Sequence, residues 1–205
     1  KIRQHFTPQA GYLMLWNLGS SFTARGLGTR SAIISIPYQA HAQLPATRIF
    51  DQGYRFAEPA SPHHAAALES AEIDLDWLCS LPQGSTNQPW VVEGVGGLMV
   101  PINGQYLLPE LIKRLHLPVL VVASTRLGGI NHTLLTLAQL EALNLKAVGL
   151  ILNGPTDESM NTALAAHSNI PIVGHVPEVD SLSNQAVEAI GQKLLSHSIL
   201  SELLT

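Results

Sequence analysis

The sequence predicts an α/β fold: a mostly parallel sheet with helices on both faces, in a single domain. Strand-like and helix-like segments alternate from about residue 54 onward, which is the order typical of parallel sheets. The strand-like segments are nearly continuous apolar runs, as expected for strands buried on both faces. The length of 205 residues, 46% of them hydrophobic, is enough for one substantial core.

The elements follow from hydrophobic periodicity and from turn residues. Asn131 is a favoured N-cap residue, so we expect a helix to begin there, with apolar positions at Leu134, Leu135, Leu137, Leu140 and Leu143. In chain order, the predicted elements are a helix over 63–81 that breaks near Ser70, a strand over 89–93, a helix over 107–117, a strand over 118–124, the helix from Asn131 to about 145, a strand over 146–153, a helix over 160–169, a strand over 170–177 and a helix over 184–199.

Charge divides the chain into two parts. Residues 1–50 contain five basic residues and no Asp or Glu, whereas residues 51–205 hold all fifteen acids. Five scattered charges are few compared with the basic blocks that bind nucleic acid, so we expect no nucleic-acid partner. The first segment also lacks clear periodicity. We therefore predict an atypical basic segment over 1–50 and an α/β domain over 51–205.

Several function classes are excluded or disfavoured by composition. No uncharged apolar run reaches the length of a membrane span, and residues 1–25 lack the order of a signal peptide, so we expect a soluble, cytoplasmic protein without a membrane partner. The single cysteine, Cys79, forms no internal disulfide and is expected to be a packing residue. The neighbours His63 and His64 point apart on a helix, and no other spacing resembles a zinc site.

Three loops follow predicted strands and would share the carboxyl edge of the sheet, where ligands of such folds bind. They are Glu93 to Gly97, Thr125 to Asn131, and Asn153 to Pro155. Glu93 can offer a carboxylate to a metal, and the glycine pair before a helix start can bring backbone N–H groups to an anion. Each loop taken alone is equally well explained as a tight turn. His132, in the first turn of a helix, is expected to be neutral and structural rather than a general base.

Four stretches together resemble the dethiobiotin synthetase family, ATP-dependent cyclo-ligases of biotin synthesis. They are "YRFAEPASPHHAA", "VVEGVGGLMVPIN", "PVLVVASTRLGGINHTLLTLAQLEALNLKAVGLILN" and "IPIVGHVPE", which cover residues 54–178 in the family's order. The resemblance implies a P-loop-NTPase-like fold and a homodimer. It also implies Mg²⁺ and ATP as cofactor and co-substrate, and a reaction that converts 7,8-diaminononanoate, CO2 and ATP into dethiobiotin through a phosphorylated carbamate.

The resemblance also assigns site residues. Glu93 corresponds to the magnesium-binding acid, and the loop beside the diamine and the γ-phosphate would comprise Gly94, Val95, Gly96 and Gly97. In the family, the partner subunit supplies a helix start that receives the substrate's carboxylate tail. This helix start corresponds to Gly128, Gly129, Ile130 and Asn131. Asn153 corresponds to the residue that reads the adenine amine, and Pro177 and Glu178 to the loop beside base and ribose. Without the resemblance, a simple turn is the better explanation of Asn153-Gly154, because Asn-Gly is a common turn sequence.

One family motif does not occur in this sequence, the P-loop G-x-x-x-x-G-K-[ST]. None of the four lysines follows a glycine, and "RGLGTRSA" has Thr29 where the lysine is needed. We therefore assign no catalytic residue. Phosphoryl transfer depends on the charge stabilisation that this loop supplies, so the first alternative is an inactive ligand-binding or dimerisation protein of the same fold. A cobyrinate-type ATP-dependent amide ligase is the second, weakened because no glutaminase-like domain with a nucleophilic cysteine is present.

Overall fold

A computed structural model describes residues 12–18, 54, 56–58, 60–81, 90–94, 96–181 and 183–204. Within these ranges, five strands form one sheet in the order β2-β1-β3-β4-β5, and every neighbouring pair is parallel. The strands are β1 (Tyr12–Leu18), β2 (Trp90–Glu93), β3 (Val119–Ser124), β4 (Ala147–Asn153) and β5 (Ile172–Val176).

The helices of the described residues alternate with these strands. They are α1 (Pro62–Leu68), α2 (Leu75–Ser80), α3 (Leu108–Leu115), α4 (Gly129–Ala142), α5 (Glu158–His167), α6 (Asn184–Leu195) and α7 (Ser198–Leu204). None of them is long and apolar enough to span a membrane.

Successive strand residues point to opposite sides of the sheet, and both sides are covered. On one side, Val121 and Leu150 are fully buried in a core that includes Leu140 of α4 and Leu164 of α5. On the other side, Leu120, Ile151 and Val173 pack with Leu200 of α7, while Leu194 of α6 is partly buried against them. The predicted parallel sheet with helices on both faces is therefore confirmed.

Strand β1 was not predicted, and it occupies an interior position in the sheet, next to the edge strand β2. It pairs with β2 on one side, where Leu15 lies opposite Glu93, and with β3 on the other, where Leu15 lies opposite Leu120. This strand falls inside the segment 1–50, so part of that segment belongs to the same sheet as the later strands. The boundary at residue 50 stays a prediction.

The start of α4 differs from the expectation. The helix begins at Gly129, with Gly128 as its N-cap at φ 89°, so the prediction of Asn131 as N-cap is wrong. The Gly129 N–H donates to the carbonyl of Arg126 at 2.8 Å, which turns the chain into the helix two residues early. The Thr133 hydroxyl then donates to the Gly129 carbonyl at 2.7 Å and stabilises the first turn.

The other helix boundaries can be compared with those predicted from the sequence. The break near Ser70 is confirmed, since Ser70 has a φ of 53° just after α1. Helix α5 begins at Glu158, earlier than predicted, because the Asp157 carboxylate accepts hydrogen bonds from two backbone N–H groups of its first turn. The closing helix is two helices, α6 and α7, separated near His197. Leu135 is 62% exposed despite its helical spacing.

Candidate functional site at the carboxyl edge of the sheet

The carboxyl ends of the parallel strands place the predicted loops along one edge of the sheet. The chain passes from β1 to β2 on one side and then returns to β3 on the other, so the strand order reverses beside β1. Crevices at such reversals are the usual ligand sites of open α/β sheets. The loops that follow β2, β3, β4 and β5 all leave from this edge, and they include the predicted site residues.

The turn from β3 into α4 can be formed only with glycine. A Cβ on Gly129 would lie 1.9 Å from the carbonyl oxygen of Ser124, and Gly128 adopts a positive φ. The helix start is therefore packed directly against the strand end, with the predicted residues Gly128, Gly129, Ile130 and Asn131 in this turn and the first helical turn. Gly128 and Asn131 are exposed, so the N–H groups of this helix start face a region that a ligand can reach.

The Asn153-Gly154 turn is tied to both neighbouring strands. The Asn153 carbonyl accepts from the Thr125 N–H at 3.0 Å, and the Gly154 N–H donates to the Val176 carbonyl at 3.0 Å. His175 Nε2 lies 2.8 Å from the Gly154 carbonyl oxygen, so this nitrogen carries the proton and donates. The side chain of Asn153 is half-buried and makes no hydrogen bond within the described part of the chain. Its amide is thus positioned by a fixed backbone and available to a ligand.

Close packing also fixes Gly154. Its φ is 129°, and an added Cβ would lie 2.5 Å from the Thr125 hydroxyl oxygen. That hydroxyl is itself buried and has no hydrogen-bond partner among the described residues. Buried hydroxyls are usually paired, so the Thr125 hydroxyl is an exception at this edge of the sheet.

An ion pair crosses the same edge. The Arg126 guanidinium donates to the Glu178 carboxylate at 3.2 Å, which links the loop after β3 to the loop after β5. The two side chains are 78% and 60% exposed. Pro177 and Glu178 were predicted site residues, whereas Arg126 was not singled out. Its position between a strand end and a glycine pair is the sequence feature that could have marked Arg126 as a site residue.

The loop after β2 contributes the other predicted residues. Glu93 is the last residue of β2, and the following Gly94 is buried. Gly96 has a φ of 75°, and the Gly97 carbonyl accepts from the Val100 N–H at 3.0 Å, which closes a tight turn. The predicted residue Val95 and the Glu93 side chain lie outside the described residues. The positive φ at position 96 favours glycine there.

Cys79 and His132 carry reactive side chains, and neither is assigned to the site. Burial raises the pKa of the Cys79 thiol, an effect that the nearby Arg114 charge only partly opposes, so the thiol is protonated at neutral pH. Cys79 lies on α2, which contains none of the predicted site residues. His132 is exposed on α4, and its backbone N–H donates to the Gly128 carbonyl at 3.0 Å as part of the helix start. Its expected structural role stays a prediction.

Comparisons with known proteins place this chain among curated relatives. A family model described as an AAA domain matches residues 30–186. The ATP-dependent dethiobiotin synthetase BioD of Lawsonia intracellularis is 39% identical over 72% of this chain and 71% of that protein. The corresponding synthetase of Paramagnetospirillum magneticum is 36% identical over 75% of this chain and 74% of that protein.

A longer relative and a distant structure complete the comparison. The biotin biosynthesis bifunctional protein BioCD of Bordetella avium is 40% identical over 76% of this chain, which spans 33% of that protein. The solved MinC:MinD cell division protein complex of Aquifex aeolicus aligns with a TM-score of 0.45 and 12% identity, covering 95% of this chain and 83% of that chain. The family of this chain is established without this structure.

The match to the AAA domain model agrees with the predicted P-loop-NTPase-like class, and the parallel sheet described above has the corresponding architecture. Together with the sequence identity to two synthetases over most of their length, this establishes that the chain belongs to the ATP-dependent dethiobiotin synthetase family.

Proposed function

We propose that this chain is an ATP-dependent dethiobiotin synthase, which closes the ureido ring of dethiobiotin from 7,8-diaminononanoate, CO2 and ATP. One observation carries the proposal beyond family membership. The glycine turn at the start of α4 and the Asn153-Gly154 turn lie at the same sheet edge and are joined by the hydrogen bond from the Thr125 N–H to the Asn153 carbonyl. This bond supports two ligand sites at one sheet edge of each subunit: a turn that would receive a carboxylate belonging to the partner's active site, and an amide that would read the base in its own.

The proposed reaction has three steps. One amine of the diamine adds to CO2 and loses a proton, which forms a carbamate. A carbamate oxygen attacks the γ-phosphorus of ATP, and ADP leaves. The second amine then attacks the carbamate carbon and loses a proton, the C–O bond to phosphate breaks, and inorganic phosphate departs as the ring closes. The protein must therefore bind a nucleotide, bind a diamine with a carboxylate tail, and exclude water from the phosphorylated carbamate.

The nucleotide base would bind at the ends of β4 and β5. The Asn153 amide can accept from the adenine amine and donate to a ring nitrogen at the same time. Pro177 and Glu178, which follow β5, would border the base and the ribose. The backbone hydrogen bonds on either side of Asn153 support this role, because a reading group must be held in place to discriminate between bases.

The carboxylate tail of the diamine would bind at the start of α4, supplied by the partner subunit of a homodimer. Unpaired N–H groups and the helix dipole favour an anion there. Leu127, in the loop before α4, is fully exposed, and Leu135, on α4, is 62% exposed. These apolar side chains support an interface between two copies next to the anion site.

Glu93 would hold Mg²⁺ at the end of β2. Mg²⁺ commonly takes one or two protein carboxylates together with substrate phosphates, so a single acid at this strand end fits the ion. When bound, the ion would neutralise phosphate charge. The turn over Gly94, Val95, Gly96 and Gly97 would lie beside the diamine, and its lack of side chains at three of four positions allows close approach of the substrate.

A second candidate function is a ligand-binding or dimerisation protein of the same fold. It is favoured by one observation, that the sequence contains no G-x-x-x-x-G-K-[ST] pattern for the phosphates. The two candidates differ in turnover, not in diamine binding.

Dethiobiotin formation by the purified protein tests the proposal. With the diamine, bicarbonate, ATP and Mg²⁺, we expect product that Glu93→Gln reduces at least about 100-fold, the usual cost of removing one preorganised transition-state contact. Glu202→Gln, an exposed acid on α7, is the matched control and keeps full activity. Diamine binding without product would favour the second candidate.

A further inference from the structure

We propose that Arg126 is a positioning residue for the nucleotide base, whose face it covers while Asn153 reads the edge. The inference rests on the proposed function, since it assumes that a purine binds at the end of β4. It adds a residue to the site that the sequence resemblance does not assign.

The path of the ion pair is the first argument. Arg126 lies two residues beyond the end of β3, and Glu178 lies two residues beyond the end of β5, with β4 between them. Neighbouring strands are about 4.8 Å apart, so the pair bridges roughly 10 Å across the strand end that presents Asn153. At 3.2 Å, the contact between guanidinium and carboxylate joins the loops on either side of the β4 end.

The direction of the side chain is the second argument. Glu178 draws the guanidinium from β3 toward β5, away from β1 on the other side of β3. The group is therefore directed to the part of the edge proposed for the base rather than toward the strand reversal. A guanidinium is planar and always charged, and it stacks on aromatic rings while donating to a carboxylate in its own plane.

The exposure of the pair is the third argument. Arg126 and Glu178 are 78% and 60% exposed, and exposed ion pairs contribute little to folding stability. Substitutions here should therefore change ligand binding without unfolding the protein. A base that covers the guanidinium would remove water from the pair and strengthen both contacts.

ADP and inorganic pyrophosphate distinguish a base contact from a phosphate contact. We expect Arg126→Ala to weaken ADP binding about fivefold to tenfold in calorimetry, corresponding to one stacking contact, and to leave pyrophosphate binding unchanged. Arg126→Lys keeps the positive charge but lacks the planar guanidinium, so it should recover less than half of the ADP-binding free energy that Arg126→Ala loses. Glu178→Gln should weaken ADP binding to a smaller extent. In turnover, the KM for ATP should rise and kcat should stay the same.

Arg114→Ala is the matched control. Arg114 is also held by carboxylates, those of Asp76 and Glu110, but it lies at the end of α3 that leads to the opposite edge of the sheet. Its substitution should leave ADP binding unchanged. Unchanged ADP binding in Arg126→Ala, equal losses for ADP and pyrophosphate, or a wild-type chain that does not bind ADP would each overturn the inference. Arg126-dependent ADP binding without dethiobiotin formation would contradict only the proposed function.

Discussion

Replacing Gly129 with alanine tests how closely α4 must approach the end of β3. The added Cβ would lie 1.9 Å from the Ser124 carbonyl oxygen, whereas real Cβ contacts are essentially never shorter than 3.0 Å. The helix start or the strand end must therefore move by at least about 1.1 Å. The obstructing atom belongs to the backbone, so a side-chain rotation cannot relieve the contact.

Overpacking of this kind typically costs about 1–3 kcal/mol, and a backbone obstruction belongs at the upper end of that range. We expect Gly129→Ala to lower the free energy of unfolding by about 2–3 kcal/mol, measured by urea denaturation followed by circular dichroism. The displaced helix start should also weaken diamine binding, because the N–H groups that would receive the carboxylate move with it.

Gly191→Ala provides the matched control. Gly191 lies within α6, and an added Cβ would have no atom within 4 Å. Alanine is the better helix former, so this variant should gain about 0.5–1 kcal/mol. The reasoning is refuted if Gly129→Ala unfolds within about 0.5 kcal/mol of the wild type, which is the range of uneventful surface substitutions.

Three further predictions follow from other contacts. Leu150→Ala should lower the free energy of unfolding by about 2–5 kcal/mol in urea denaturation, because Leu150 is fully buried at the centre of the sheet, and a loss below 1 kcal/mol would contradict the described core. Gly154→Ala should weaken ATP binding in calorimetry, since its Cβ would approach the Thr125 hydroxyl at 2.5 Å and displace the turn, whereas Gly191→Ala, whose Cβ meets no atom within 4 Å, should leave ATP binding unchanged. Hydrogen bonds from the Ser159 hydroxyl and from the backbone hold the pKa of Asp157 below its usual range. The stabilising effect of the Asp157 carboxylate is therefore present above the ordinary pKa of Asp and is lost as pH falls through the lowered value. The thermal unfolding temperature of Asp157→Ala should differ from that of the wild type at pH 7 and converge with it in strong acid.

Sequence reasoning predicts the elements whose signals are local. The strands that end at Glu93, Ser124 and Asn153 are runs of apolar residues bounded by turn residues, and each lies where the pattern indicates. The break at Ser70 is also local, since a polar residue there interrupts a helical repeat. Loops after these strands reach one edge because parallel strands must end on the same side.

The missed features depend on contacts between distant residues. Strand β1 is an interior strand only because β2 and β3, more than seventy residues later, pair with it on both sides. The early start of α4 depends on how closely Gly129 packs against Ser124, which N-cap preferences do not register. The pairing of Arg126 with Glu178 joins residues 52 positions apart, and no spacing rule predicts it.

Titration of the wild-type chain with the diamine and with Mg-ATP tests the central claim most directly, which is that two ligand sites share the carboxyl edge. The account predicts binding of both ligands, with Asn153→Ala weakening only the nucleotide and Gly129→Ala, which displaces the N–H groups of the helix start, weakening the diamine. A folded protein that binds neither ligand, or in which both substitutions leave both affinities unchanged, would contradict it.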